Sequence, residues 1–267
     1  MHEACRSARG HARRFLPLLL AAVAGCGPSR AQLKERDDQA QYHYDLAYGY
    51  FFDEHNPRGD AALLEVLKSL EIKEQNADAH LLAGLVFMGR ERHLDAVTHF
   101  QRAIELNPDL HYAQNNLAAT YLAMERWDDA IAILDRLVSN MLYDRQGHAH
   151  NNLGWAWYKK GDPVRARRHY DAAIQLASDL CPPYNNLGLL LIEQNQLEQA
   201  EKYLRRGLAR CPTYAEPWMH LGRIQARQGD AKGARDSFER CLKFAGESPL
   251  ADRCERLLSP LVAGDAR

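Results

Sequence analysis

The sequence predicts an all-α solenoid, in which six antiparallel helix pairs stack along one axis and a C-terminal helix caps the last pair. Three observations lead there. One pattern recurs six times: "QYHYDLAYGYFF", "DAHLLAGLVFMG", "YAQNNLAATYLA", "HAHNNLGWAWYK", "PYNNLGLLLIEQ" and "EPWMHLGRIQAR". The copies lie near 34 residues apart, and self-similarity at a fixed period of that size marks stacked supersecondary units. Each copy is followed some twelve residues later by an Ala and a second amphipathic stretch, so every unit holds two helices.

Ahead of the repeats, Arg6, Arg9, Arg13 and Arg14 precede the apolar segment Phe15 to Gly25. That segment is about half the ~20 residues a membrane-spanning helix requires. A basic leader, a short apolar centre and small residues before a cleavage point have the layout of a secretory signal peptide. Here the small residues run into Cys26, which resembles the bacterial lipoprotein signal. The resemblance implies removal of residues 1–25 and acylation of Cys26. Gly27 stands where an Asp would commonly signal inner-membrane retention, so by the same resemblance the outer membrane is expected, with the body in the periplasm. Acyl chains contribute ~0.8 kcal/mol per buried methylene and hold a soluble body to a bilayer without a spanning helix. Residues 26–39 are expected to form a lipidated tether, partly helical at its end.

Residues 40–248 hold the six repeats, and residues 249–267 a capping helix and tail. The pattern resembles the tetratricopeptide repeat, with small residues at repeat positions 8, 20 and 27, bulky ones at 4, 7, 11 and 24, and Pro near 32. Residues 77–110 carry Gly84, Phe87, Ala96, Phe100, Ala103 and Pro108 at the matching places. Residues 147–180, 181–214 and 215–248 follow with Gly154, Gly188 and Gly222 at position 8 and Tyr170, Leu204 and Phe238 at position 24. A small residue at position 8 lets two helix backbones approach, and the larger side chains interlock around that contact. Neither helix buries its apolar face alone, so stability becomes a sum of repeat and interface contributions. The terminal stretch carries Leu250, Cys254, Leu257, Leu258 and Leu261 at helical spacing and is expected to cover the last pair.

Two copies break the period. Ala47 to Gly84 spans 37 residues, with "DEHNPRGD" absorbing the excess, and Ala118 to Gly154 spans 36, where "SNMLYDRQG" replaces a short turn. Insertions in a solenoid fall in loops, and such loops often carry binding function.

Composition narrows the function classes. With residues 1–25 go four arginines and Glu3, so the formal charge falls from −1 to −4. No Lys/Arg cluster with interleaved aromatics remains to suggest nucleic-acid binding. The mean hydropathy of −0.49 describes a water-soluble body. His148 and His150 are two apart and point to different sides of a helix, so no set of ligands at zinc spacing assembles. Neither a nucleophile elbow nor a phosphate-cradling glycine loop occurs. No metal, cofactor, small-molecule substrate or enzymatic activity is expected.

Without Cys5 and Cys26, four cysteines are left, an even number in an oxidising compartment. Cys241 faces the cap helix that bears Cys254, and Cys181 and Cys211 open and close the fifth repeat. Both pairings are geometrically open, and sequence alone establishes neither.

Recognition is the remaining activity. In such solenoids the first helix of each pair lines the concave face through positions 2, 5, 9, 12 and 13. Position 5 presents Asn115, Asn151 and Asn185 in three successive repeats, with Asn116, Asn152 and Asn186 beside them. Amides offer donors and an acceptor, so a ladder of them is expected to hold an extended peptide backbone. Tyr112, Leu122, Trp155, Tyr158, Leu189 and Ile192 are expected to add apolar and aromatic contact around it.

A lipoprotein leader, a short tether and six such repeats together resemble the pilotin lipoproteins of type IV pilus systems. Residues 137–162, "LVSNMLYDRQGHAHNNLGWAWYKKGD", are similar to that family's segment in which a Leu-Tyr turn precedes an "NLG" helix. The resemblance implies a non-enzymatic protein that binds subunits of the outer-membrane secretin and promotes their localisation and assembly. A periplasmic adaptor for cell-wall enzymes or envelope-assembly components, or a subunit of outer-membrane protein assembly, stays open beside it.

Overall fold

In the computed structural model, residues 28–53 and 58–265 are described; Cys26, the leader before it and the middle of "DEHNPRGD" lie outside them. Thirteen α-helices follow one another among these residues: α1 (Arg30–Phe51), α2 (Gly59–Ile72), α3 (Ala77–Gly89), α4 (His93–Leu106), α5 (His111–Ala123), α6 (Trp127–Ser139), α7 (Gln146–Lys159), α8 (Pro163–Leu176), α9 (Pro182–Glu193), α10 (Leu197–Leu208), α11 (Ala215–Arg227), α12 (Ala231–Ala245) and α13 (Pro249–Asp265). They pair as α1/α2 through α11/α12, and α13 packs on α12 and α11. This is the all-α repeat solenoid the period predicts.

The crossings are as close as the small residues at position 8 require. A Cβ built on Gly84 would lie 2.5 Å from the Phe100 ring, on Gly154 2.5 Å from Tyr170, on Gly188 2.6 Å from Leu204 and on Gly222 2.5 Å from Phe238. Each partner is the bulky residue of position 24, and all four are fully buried. Only hydrogen fits between these helices.

The turns inside the pairs repeat just as strictly. Position 15 adopts left-handed backbone in five repeats: Glu91 (φ 58°), Glu125 (φ 59°), Gly161 (φ 78°), Asn195 (φ 56°) and Gly229 (φ 81°). Gly and Asn tolerate that conformation, whereas a glutamate bears the steric cost of its Cβ, ~1–2 kcal/mol. Side-chain caps fix several helix starts. Asn76 accepts from the amides of Asp78 and Ala79, Asp162 from Arg165 ahead of Pro163, and Asp230 from Gly233.

One expectation is corrected at the N-terminus. Residues 26–39 were expected to be mostly tether, but α1 begins at Arg30 behind a capping box in which Ser29 and Gln32 satisfy each other's backbone amides. Ten residues of helix project, polar and exposed, ahead of the first buried position, Ala40. No apolar face announces this stretch because polar contacts hold it: Arg36 Nη2 donates to the Ile72 carbonyl at 2.9 Å, and Lys73 pairs with Asp37 at 2.9 Å. Both clamp the overhang to the end of α2.

The odd-numbered helices touch one another along the stack, α1 to α3 through α9 to α11, whereas the even-numbered ones make no such mutual contacts. The first helix of each pair therefore lines the inner, concave side. No helix among the described residues is long and apolar enough to cross a membrane.

Candidate partner-binding groove

On the concave side, the first three repeats enclose a groove of about 600 Å³. Tyr44 and Tyr48 of α1, with Phe52 at its C-cap, form one wall, and Leu81, Leu82 and Leu85 of α3 the floor. Opposite stand Tyr112 at the start of α5 and Tyr143, Asp144 and Arg145 from the connection between α6 and α7. Tyr44 and Leu81 occupy repeat position 5, Tyr48 and Leu85 position 9, Phe52 position 13 and Tyr112 position 2. Side chains one helical turn apart share a face, which is why these positions converge. Tyr48, Phe52 and Tyr112 are exposed at 49%, 47% and 36%, an unusual density of wet aromatic surface.

The far wall is the insertion of the third repeat, and Asn140 builds it. Its side chain accepts from the Leu142 amide at 2.9 Å and reaches His111 Nε2 at 2.7 Å, while its carbonyl accepts from the Tyr143 amide at 3.1 Å and from Gln146 Nε2 at 3.0 Å. This turn throws Met141 and Leu142 out to solvent and folds Tyr143 inward, where it is 4% exposed. The Tyr143 hydroxyl has no hydrogen-bond partner. Burial pushes its pKa up to about 12, so it is a neutral donor at physiological pH. Arg145 lays its guanidinium 5.1 Å from the centre of the Tyr112 ring.

The amide ladder has a different place from the one expected. Asn115 and Asn185 are buried at 9% and 3%, and the amides join successive repeats. Asn152 Nδ2 donates to Asn115 Oδ1 at 3.3 Å, Asn186 Nδ2 to Asn151 Oδ1 at 3.0 Å, and Asn185 Nδ2 to Glu216 Oε2 at 3.1 Å. Position 6 of one repeat thus reaches back to position 5 of the one before. A buried amide looks for partners within the protein, and here the neighbouring repeat supplies most of them, while Asn185 Oδ1 is buried without one. The ladder is a seam, and it leaves these groups little to offer a peptide.

Of the aromatic and apolar residues expected around it, only Tyr112 lines the groove. Trp155 and Tyr158 come together with ring centroids 5.3 Å apart, half-buried, and the Tyr158 hydroxyl donates to Glu193 Oε1 at 2.5 Å. Leu189 is half-buried, and Leu122 and Ile192 belong to the core. Sequence reasoning missed Tyr44, Tyr48, Phe52, Leu81, Leu85, Tyr143 and Arg145. The signal was present: positions 5, 9 and 13, applied to the first two repeats, select five of these seven.

The structure bonds both cysteine pairs, Cys181 to Cys211 with Cα atoms 6.3 Å apart and Cys241 to Cys254 at 6.2 Å. The second fastens the cap helix, where Cys241 and Cys254 sit buried beside Ala215 and Met219. Histidine pairs recur at positions 4 and 23 of two repeats: His80 and His99 approach with Nδ1 atoms 3.0 Å apart, as do His150 and His169. Burial, followed by the facing ring, lowers His99 and His169 to about 4, so both pairs are neutral hydrogen-bonded imidazoles at pH 7. Among the described residues no group of three or more His, Cys, Asp or Glu is arranged to hold a metal ion.

Comparison with known proteins agrees with this geometry. A tetratricopeptide repeat profile matches residues 38–111 and 185–249, just over half of the chain. Two other profiles of the same repeat match residues 87–142 and 147–180. The type IV pilus assembly protein PilF of Pseudomonas aeruginosa is 23% identical over 193 residues, covering 70% of this chain and 75% of its own. The solved structure of Pseudomonas aeruginosa PilF superposes with a TM-score of 0.66 at 18% identity, over 83% of this chain and 99% of that one. That of PilW, described as a widely conserved type IV pilus biogenesis factor, gives 0.68 at 18% identity, over 80% and 97%. The repeat profiles, the position-8 crossings and the stacked helix pairs agree, and the chain belongs to the tetratricopeptide repeat family.

Proposed function

We propose that this protein is a lipid-anchored adaptor of type IV pilus biogenesis, which holds secretin subunits at the outer membrane and promotes their assembly. The observation that carries the proposal is the aromatic groove on the concave face of the first three repeats, a protein-binding surface with no catalytic constellation around it. Support for the pilus setting comes from the likeness to PilF, which spans three quarters of that protein, and from the shared architecture with PilW. Support for the anchor comes from the basic leader and the small residues ahead of Cys26. In this reading the acylated Cys26 keeps the solenoid at the inner leaflet of the outer membrane. The projecting start of α1 spaces the groove from the lipid, and a secretin segment lies across Tyr48, Phe52 and Tyr112. The role is non-enzymatic: the repeats position a partner and make no bonds.

Deleting the protein and assaying heat-resistant secretin multimers tests the role; their loss, with loss of pili, is expected, and normal multimers with normal pili would refute it. Cys26→Ser should release the protein from membranes, and continued membrane association would remove the anchor from the proposal.

A further inference from the structure

The chain is strongly polarised in charge. Residues 28–144 carry 11 Lys/Arg against 20 Asp/Glu, net −9, while residues 145–267 carry 19 against 14, net +5. The groove lies in the acidic half. Three carboxylates, Asp78, Asp109 and Asp144, stand among its lining residues. Elsewhere Asp95, Asp129 and Asp162 each hold an arginine three residues away, but the groove's three aspartates have no such ion pair among the described residues. Arg145 is the one arginine of the lining, and it is stacked over Tyr112. Tyr44, Tyr48 and Phe52 present ring faces whose quadrupoles attract cations. Finally, Tyr143, folded in from the third repeat's insertion, adds a further ring to the groove lining.

We infer that the groove takes a cationic apolar segment of a partner protein, one in which Lys or Arg is interspersed with aliphatic or aromatic residues; this rests on the groove being the partner site proposed above. The apolar side chains fill the cleft between α1 and α3, and the cationic groups meet Asp78, Asp109 and Asp144. The net charge of the surrounding half draws such a segment in, because a cleft lined with one sign of charge concentrates ligands of the other.

Two fluorescent 14-residue peptides test the inference on the full chain: one places Lys among Leu and Phe, the other has Glu at every Lys. The Lys peptide should bind at least tenfold more tightly than the Glu peptide, and its affinity should fall at least tenfold with Asp78→Asn, Asp109→Asn and Asp144→Asn combined. Changing Glu35→Gln, Asp38→Asn and Glu71→Gln together, acidic residues outside the groove, should leave it within twofold. Equal binding of the two peptides, or equal loss from the two triple variants, overturns the charge selection. Sedimentation showing head-to-tail association of the chain would instead overturn the partner assignment, since its own basic half would then be the occupant. Tyr48→Ala with Phe52→Ala separates the two levels. If that variant captures partner and peptide unchanged, the groove itself is the wrong surface, whereas loss of both peptides alike leaves the groove standing and removes only its preference for charge.

Discussion

The two halves of this solenoid obey the same repeat rules to different ends. From Gly154 to Gly188 to Gly222 the spacing is 34 residues each time, and this half carries both disulfides, the cap helix and most of the amide seam. Before it, the spacings of 37 and 36 residues interrupt the period, and here the groove opens. The difference teaches that a regular repeat spends its side chains on its neighbours. Position 6 of one repeat meets position 5 of the one before both across the regular spacing, Asn186 to Asn151, and across the 36-residue one, Asn152 to Asn115, so polar groups of the inner face find partners between repeats. Around the first three repeats the inner positions face a cleft instead, and Tyr44, Tyr48 and Leu81 line it. The insertion also supplies the far wall through Tyr143 and Arg145.

If the C-terminal half is the rigid part, its bonds and crossings should dominate stability. Reducing the disulfides should have the largest effect. Closing the 13-residue separation of Cys241 and Cys254 is worth about 3 kcal/mol by chain entropy, and the 30-residue one of Cys181 and Cys211 slightly more. Chemical unfolding with and without reductant measures this, and unchanged midpoints would remove the asymmetry. Next, Gly154→Leu should overpack the crossing against Tyr170 and destabilise by about 1–3 kcal/mol. In the other half Gly49→Ala meets nothing within 4 Å and should stabilise α1 by about 0.5–1 kcal/mol. Opposite signs in thermal melts sharpen the contrast, while matching signs would break it.

The turns offer a smaller test. Glu91 and Glu125 hold left-handed backbone in the N-terminal half, where Gly161 and Gly229 serve the C-terminal half. Glu125→Gly should stabilise by about 0.5–1 kcal/mol, and Gly161→Ala should destabilise by a similar amount. The smallest effect is expected in acid, where each half holds one histidine pair and the C-terminal half also buries His220, which desolvation lowers to about 4. His99 and His169 have folded pKa values of about 4, below the ordinary imidazole value of 6.5. The unfolded chain therefore binds more protons between those values. Stability should fall as the pH drops from about 6.5 to about 4 and level off below. His99→Gln and His169→Gln should each flatten that slope to a similar extent, as urea midpoints at pH 7 and pH 4.5 would show.

Much of this was legible from the chain alone. The 34-residue period, with Gly or Ala at position 8 and a bulky residue at position 24, determined the paired helices, their crossings and the stack, because each depends on residues near in sequence and on steric fit that any copy of the pattern shares. The cysteine places made both disulfides geometrically possible without establishing either, and the structure bonds both. The inner positions were legible as a class, but which of them face solvent was decided only by the tertiary structure. Asn115 and Asn185 resembled binding residues because a free amide and a satisfied one have the same sequence; only the register between repeats brings Asn152 and Glu216 within reach. The groove, too, depends on how α1, α3, α5 and the connection between α6 and α7 pack together, and the projecting part of α1 on contacts to the end of α2. Periodicity is a local property that a chain carries in its spelling, whereas an opening between elements is a sum of small offsets that exists once the elements have packed.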